Sequence, residues 1–260
     1  MEQKLIQSTP IFFKKLIILL TLVRRDYAMQ FAGSVLGGIW LVLQGSVLIG
    51  LYIFIAGGIG LIRTNSTPDY IPYILSGLLF WIPIAEMIQR STTILTDNRS
   101  LIKRSGLGAD LFLWIPVIQM FFHFTILSIP VMGYLFWMGK PGLTSLLILP
   151  WIGITALVFF PFLIYLSRSN VLLKDISPVV RLFLQLGFWS LPLVYIQPAH
   201  WLDIIQYHPL FFFLEVFRFL LFPDSPVHTP YYIPLFFTLG MGLFYKLLNL
   251  RFKEIILDHL

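Results

Sequence analysis

A chain of 260 residues that is 58% hydrophobic and only 12% charged lies far below the roughly 25% charge of a soluble domain, and its apolar runs leave room for no soluble domain of useful size. The absence of cysteine excludes disulfides, thiolate metal sites and cysteine nucleophiles. A formal net charge of +6 with no soluble basic domain to carry it argues against nucleic-acid binding and suits loops that face anionic lipid.

The first element in chain order, up to residue 31, is too charged to span a bilayer. Ile11, Phe12, Leu16, Leu19, Leu20 and Val23 make one apolar face at helical spacing, with Lys14, Lys15, Arg24 and Arg25 off it, which predicts an amphipathic helix in the plane of the membrane interface. No small-residue cleavage site precedes Arg24, so no cleaved signal peptide is expected. Six apolar stretches follow, at 36–62, 71–95, 111–138, 143–167, 176–195 and 231–250. Each reaches the roughly 20 residues that cross about 30 Å of hydrocarbon as a helix. Backbone groups in lipid must be satisfied within the segment, which favours helices, and these runs are too continuous for the alternating strands of a barrel.

The segment 201–222 is apolar but interrupted by Pro209, across which a helix is disfavoured. It is read as two half-helices folded back into the outer leaflet, packed beside a pathway because irregular backbone at depth needs protein or a wet cavity around it. The fold class is therefore an all-α membrane protein: one transmembrane domain over 1–260, with an N-terminal interface helix (1–31), a six-span core (36–250), an external re-entrant hairpin (197–223) and a cytoplasmic tail (251–260).

The charges orient this arrangement. Of the 18 lysines and arginines, all but Arg63, Lys140 and Arg218 fall before span one, around the gap between spans two and three, between spans four and five, or in the tail. The positive-inside rule places those gaps and both termini in the cytoplasm. A seventh crossing at 201–222 would put Lys246, Arg251 and Lys253 outside, against that rule.

Enzyme signatures are absent. There is no phosphate-cradling G-x-x-x-x-G-K-[ST] loop, no H-E-x-x-H and no G-x-S-x-G, and the five histidines are too scattered to frame a zinc site. Intramembrane polar residues are the more informative signal. Glu86 lies four residues before Arg90 and can pair with it on one helix face, as a structural pair or as a gate beside a conduit, with Gln89 adjacent. Gln119 and His123, also four apart, suit hydrogen bonds between helices. Trp40, Trp114, Trp137, Trp151 and Trp201 lie near span ends, where aromatic belts are expected. Tyr52, Phe54, Phe80, Trp81, Phe188, Trp189 and Tyr195 cluster toward the outer halves of spans one, two and five, and such faces suit sugar rings sliding past without one tight site.

Several short motifs carry a family resemblance. Arg25-Asp26 with Ser34, Leu36, Gly37 and Trp40 resembles the approach to span one in the membrane subunits of ABC exporters for lipid-linked surface polymers: O-antigen, capsule and wall teichoic acid. Tyr73, Leu75, Gly77, Leu78 and Trp81 resemble that family's second span, and Leu101-Ile102-Lys103 its coupling helix. Asn170-Val171 with Lys174-Asp175 resembles the loop between spans four and five. Pro192 and Tyr195 resemble the end of span five, and Pro209, Glu215 and Arg218 the external hairpin. The chain departs from the pattern after Arg25-Asp26, where basic residues are missing, at Gln44-Gly45, and at Gly106-Leu107-Gly108.

The resemblance implies a permease subunit in the bacterial cytoplasmic membrane, working as a homodimer with two ATPase subunits that hold ATP and magnesium; this chain itself holds no cofactor and no metal. Asn98, Leu101, Ile102, Lys103 and Arg104 become the expected ATPase contact. Arg24, Arg25, Lys103 and Arg104 are expected at the carrier lipid's pyrophosphate. Tyr52, Phe80, Trp81, Trp189 and Tyr195 are expected to line the path, and Glu215 and Arg218 to support its exit. The stretch from Pro198 to Arg218 looks more like the teichoic acid branch. Two other readings remain open on sequence: a membrane-embedded transferase or hydrolase acting on polyprenyl-linked sugars, drawing on Asp69, Asp203, His208, Glu215 and Asp224, and a small-lipid or drug exporter of the same superfamily.

Overall fold

The computed structural model describes residues 11–58, 70–105, 108–139, 142–196 and 199–259. Arg63, Asp69, Gly106, Leu107, Lys140 and Pro198, to which the sequence reading gave roles, lie outside these residues, as does the stretch 1–10 with Lys4. The described residues are helical without strands. In chain order they form α1 (Ile11–Gln30), α2 (Ile39–Gly58), α3 (Tyr70–Asp97), α4 (Arg99–Ser105), α5 (Ala109–Phe112) and α6 (Trp114–Trp137). A short 3-10 helix (Leu143–Leu147) leads into α7 (Ile148–Leu172), followed by α8 (Ile176–Ser190), α9 (Ala199–Ile205), α10 (Pro209–Leu221) and α11 (Tyr232–His259).

Among the described residues, three segments are long and apolar enough to cross a membrane: Tyr70–Asp97, Ala109–Trp137 and Leu143–Leu172. They correspond to expected spans two, three and four. Shorter apolar helical stretches lie at Ile39–Ile55 and Tyr232–Leu247. Expected span five stops at Ser190 because Leu191, ahead of Pro192, turns to extended backbone, as the residue before a proline must. The last helix runs through His259, past the boundary set for the tail.

α3 is the central element. It packs on α6, α7, α8, α2 and α10, and its residues Leu78, Leu79, Phe80 and Ile84 have no exposed surface. Apolar side chains of α3, α6, α7 and α10 form one large core. A second, smaller core joins Leu22 and Val23 of α1 to Ile94 and Leu95 at the end of α3, Ile102 of α4, Phe112 of α5, Ile115 of α6 and Ile164 of α7. This second core gathers Arg24, Arg25, Arg99, Lys103 and Arg104 at one end of the bundle. Arg168 joins the same end through Asp110, 3.3 Å away, and we call it the basic end.

α10 folds back against the start of α3 and α7 at the opposite end. The break falls where the sequence reading put it: α9 ends at Ile205, and Pro209 occupies the first turn of α10, a position that needs no amide hydrogen. A second close approach fixes the same end. A Cβ on Gly77 would stand 2.3 Å from the carbonyl oxygen of Leu193, so only glycine lets α3 lie against the turn after α8. Gly77→Ala is expected to lower stability by about 1–3 kcal/mol, read as a fall in the thermal midpoint in detergent. Gly50→Ala, where the added carbon meets open space, should leave the midpoint in place.

Candidate functional site

The buried face of α1 is Leu19, Leu22, Val23, Asp26 and Tyr27, whereas Leu16 and Leu20 point outward. The sequence pattern put Leu16 and Leu20 with Leu19 and Val23 on one apolar face; the structure divides that face, Leu19 and Val23 turning to the protein and Leu16 and Leu20 away from it. Asp26, a carboxylate with no exposed surface, lies on the packed side and meets its partners there.

Those partners come from two other helices and from α1 itself. Arg90 of α3 clamps both oxygens of Asp26, Nη2 donating to Oδ1 at 2.5 Å and Nε to Oδ2 at 3.1 Å. Gln119 of α6 donates to Oδ2 at 2.9 Å and Gln30 of α1 at 2.7 Å. Burial alone raises the Asp26 pKa, but the hydrogen bonds and charge of Arg90, with the two amides, outweigh it and hold the carboxyl below its ordinary value. The neighbouring Tyr27 phenol is pushed up by burial and by the charges of Glu86 and Asp26. Arg90 also reaches Asp97 at 2.5 Å and Thr93 at 2.8 Å.

The expected pair of Glu86 and Arg90 does not form. One turn along α3 from Arg90, Glu86 meets Nδ1 of His123 on α6. The other ring nitrogen of His123, Nε2, lies 2.6 Å from the carbonyl oxygen of Leu41 on α2. A carbonyl can only accept, so Nε2 carries a hydrogen. The contact between Nδ1 and Glu86 then needs a proton from one partner or the other. Helical spacing permits the local pair, but each member finds a better partner across a helix interface.

These two networks wall a cavity of about 470 Å³ between α1, α2, α3, α6 and α8, which Gln44, Ser177 and Arg181 also line. Gln89 donates to Ser177 at 3.0 Å, and its buried Oε1 has no protein partner. The cavity therefore offers a cation at Arg181, an open acceptor at Gln89 and a carboxylate at Glu86, a surface that suits a ligand with both hydroxyl and anionic groups.

The other expected residues divide. In the turn before α4, Asn98 is buried, its carbonyl accepting from the amides of Leu101 and Ile102 at 3.0 Å and its side chain donating to the Ile94 carbonyl. Leu101 and Ile102 face the small core, while Lys103 and Arg104 are exposed. Arg24 is exposed; Arg25 is half-buried, one guanidinium nitrogen 3.6 Å from Met29 sulfur and the other without a partner. Of the aromatics, Phe80 is enclosed against Phe217, ring centres 5.5 Å apart. Trp81 packs on Gly187 and Phe188. These two belong to the core of the chain and not to a lining, because α10 and α8 cover them. Tyr52 leans on Phe188 at 5.8 Å. Trp189 and Tyr195 line a second cavity, of about 560 Å³, with Trp201 and His208.

At the end opposite the basic one, Glu215 and Arg218 are both buried but do not pair. Arg218 donates to the carbonyl of Pro192 at 2.7 Å and to Ser76 at 3.3 Å, with its guanidinium 3.6 Å above the Tyr73 ring. Glu215 accepts from the amides of Thr229 and His228 at 2.9 and 3.0 Å and from the Thr229 hydroxyl at 2.5 Å. Asp26 and Asp97 were not singled out for a role. An acidic residue on an otherwise apolar helical face was the available signal for Asp26; Asp97, in a polar segment, gave none.

Long apolar helices carrying buried charge networks describe a multi-pass membrane protein. The comparisons with known proteins agree. Two O-antigen export system permease proteins RfbA of Klebsiella pneumoniae are each 27% identical over 92% of this chain and 95% of their own length. One of Myxococcus xanthus is 24% identical over 68% of each. No family model matches. The likeness to permease subunits of polysaccharide exporters read from short motifs is thus carried by almost the full chain.

Replacing Asp26 by Leu alone is expected to cost about 3–5 kcal/mol, because it strands the Arg90 charge, while the Asp26→Leu, Arg90→Met double variant recovers much of that loss. Thermal unfolding in detergent measures both. Because the Asp26 pKa is depressed, its stabilisation is present above the ordinary carboxylate pKa and is lost as pH falls through the lower folded value. The double variant should show a flatter stability profile across that acid range.

Proposed function

We propose that this chain is the permease subunit of an ATP-driven ABC exporter that moves a polyprenyl-pyrophosphate-linked cell-envelope polymer across the bacterial cytoplasmic membrane. The observation that carries the reading is relatedness to O-antigen export permeases over 92% of the chain, on a helical bundle with a buried polar seam. Those relatives favour an O-antigen-like polysaccharide over the teichoic acid suggested by the 198–218 stretch.

In this reading two copies enclose the path and two ATPase subunits dock at the basic end. The basic end faces the cytoplasm with both termini, six spans cross, and the α9–α10 pair is a re-entrant hairpin at the exit. The amphipathic α4, with Ile102 inward and Lys103 and Arg104 outward, is the ATPase contact. The cavity between α1, α3 and α6 receives the sugar-phosphate head of the substrate, and Arg24, Arg25, Lys103 and Arg104 meet the carrier pyrophosphate through charge-assisted hydrogen bonds. Trp189 and Tyr195 line the outer path, where an aromatic face lets sugar rings pass.

An ATPase from the source bacterium should co-purify with the detergent-extracted chain in equal amount, in a particle holding two copies of each. Arg104→Ala should lower polymer at the cell surface by about tenfold, the loss of roughly one charge-assisted contact, measured as sugar released from intact cells of a deletion strain carrying the variant. Absence of an ATPase together with unchanged export in the variant would refute the assignment. Tags at the two chain ends should label from the same membrane face.

A further inference from the structure

Arg90 sits where three parts of the basic end meet, and its two carboxylate partners differ in kind. Asp26, on α1, is fully buried and held through both oxygens. Asp97 is the last residue of α3, one residue before the Asn98 turn that starts α4, and its side chain is 45% exposed. Breaking a buried, bidentate pair strands a charge and is costly. An exposed partner exchanges for water at small cost. One guanidinium thus has a permanent arm and a releasable arm, and the releasable arm ends at the root of α4.

We propose that Arg90 is a positioning residue that transmits movement of α4 to α1 and the polar cavity, with Asp97 as the latch that makes and breaks. This rests on the reading of α4 as the ATPase contact. While the latch is closed, α1, the end of α3 and the root of α4 move as one body. Glu86 lies one turn further along α3 and bears on His123, which bonds the α2 backbone at Leu41. Displacing α4 therefore acts at one end of a path that runs through Asp97 and Arg90, along one turn of α3 to Glu86, and through His123 to α2. Arg90 and Asp97 both lie on α3, so opening the latch leaves the Asp26 clamp intact and releases the last turns of α3, and the root of α4 shifts without carrying α1. The network provides two arrangements that differ by one exposed ion pair, a gap small enough for a docking protein to bias.

Asp97→Asn tests this, because an exposed carboxylate can be neutralised without stranding a buried charge. The complex with its ATPase is purified for ATP hydrolysis, and export is read as sugar released from intact cells of the complemented deletion strain. ATP hydrolysis should stay within about twofold of wild type while export falls by about tenfold, the size of effect seen when a coupling element is removed. Asp97→Glu, which keeps the charge, should restore most of the export. The inference is overturned if Asp97→Asn exports as much per ATP as wild type, if hydrolysis and export fall together, or if Asp97→Glu fails like Asp97→Asn. Failure of the wild-type chain to co-purify with an ATPase would instead remove the functional reading beneath it.

Discussion

Asp26 has lost its water entirely, and a bare carboxylate in that position would be intolerable. Its charge persists because a guanidinium grips it with two donors and two amides fill its remaining acceptor sites. The consequence is architectural. Four hydrogen bonds from α1, α3 and α6 converge on one residue, so α1 has a single rotation about its axis that satisfies them all. The apolar contacts of Leu22, Val23 and Ile94 could be made in several neighbouring registers. The carboxylate permits one. Buried ionic groups contribute little net stability, and here the gain lies in registration of a surface helix against helices of the bundle.

The opposite end solves a related difficulty by different means. The turn after α8 leaves the carbonyls of Pro192 and Leu193 outside any helix, and buried carbonyls need donors. Arg218 supplies them, lying flat on Tyr73 while its nitrogens reach Pro192, Leu193 and Ser76. Tyr73 and Tyr70 add their hydroxyls to the carbonyls of Pro192 and Val194 at 2.9 and 2.7 Å. Glu215, one turn from Arg218 on α10, closes the loop before α11 in the same way, accepting backbone amides. Glu215 and Arg218, expected from sequence to support an exit, are each committed to irregular backbone, one cation to carbonyls and one anion to amides.

What was legible in the residues follows from the range of the forces involved. A local signal held at the break ahead of Pro209, and another was overlooked at Pro192, which ends α8 at Ser190 although span five was expected to run to Tyr195. Each depends on backbone chemistry or spacing within a few residues. The site was harder. Glu86 and Arg90 looked like partners because helical spacing brings them together, yet Arg90 is claimed by Asp26, 64 positions away, and Glu86 by His123, 37 positions away. Phe80 was expected on a path because it belongs to the aromatics clustered toward the outer halves of spans one, two and five, and it is enclosed because α10 returns from far along the chain to cover it. Flagging Gln119 and His123 as bonds between helices was correct in kind, since each reaches a different helix, but the spacing could not say to whom.

The close contact at Gly77 carries one more implication. There the α3 backbone touches the Leu193 carbonyl with no side chain between them, and the Arg218 knot surrounds that point. Arg90 lies on the same helix about 20 Å away, taking 1.5 Å per residue. A helix pinned at one place and pushed at another behaves as a lever, with the glycine as its fulcrum and any bend at Pro83 shortening the throw. A tilt of about ten degrees would swing the loaded tip by roughly 3–4 Å over that arm, while the helix surface at the fulcrum barely shifts.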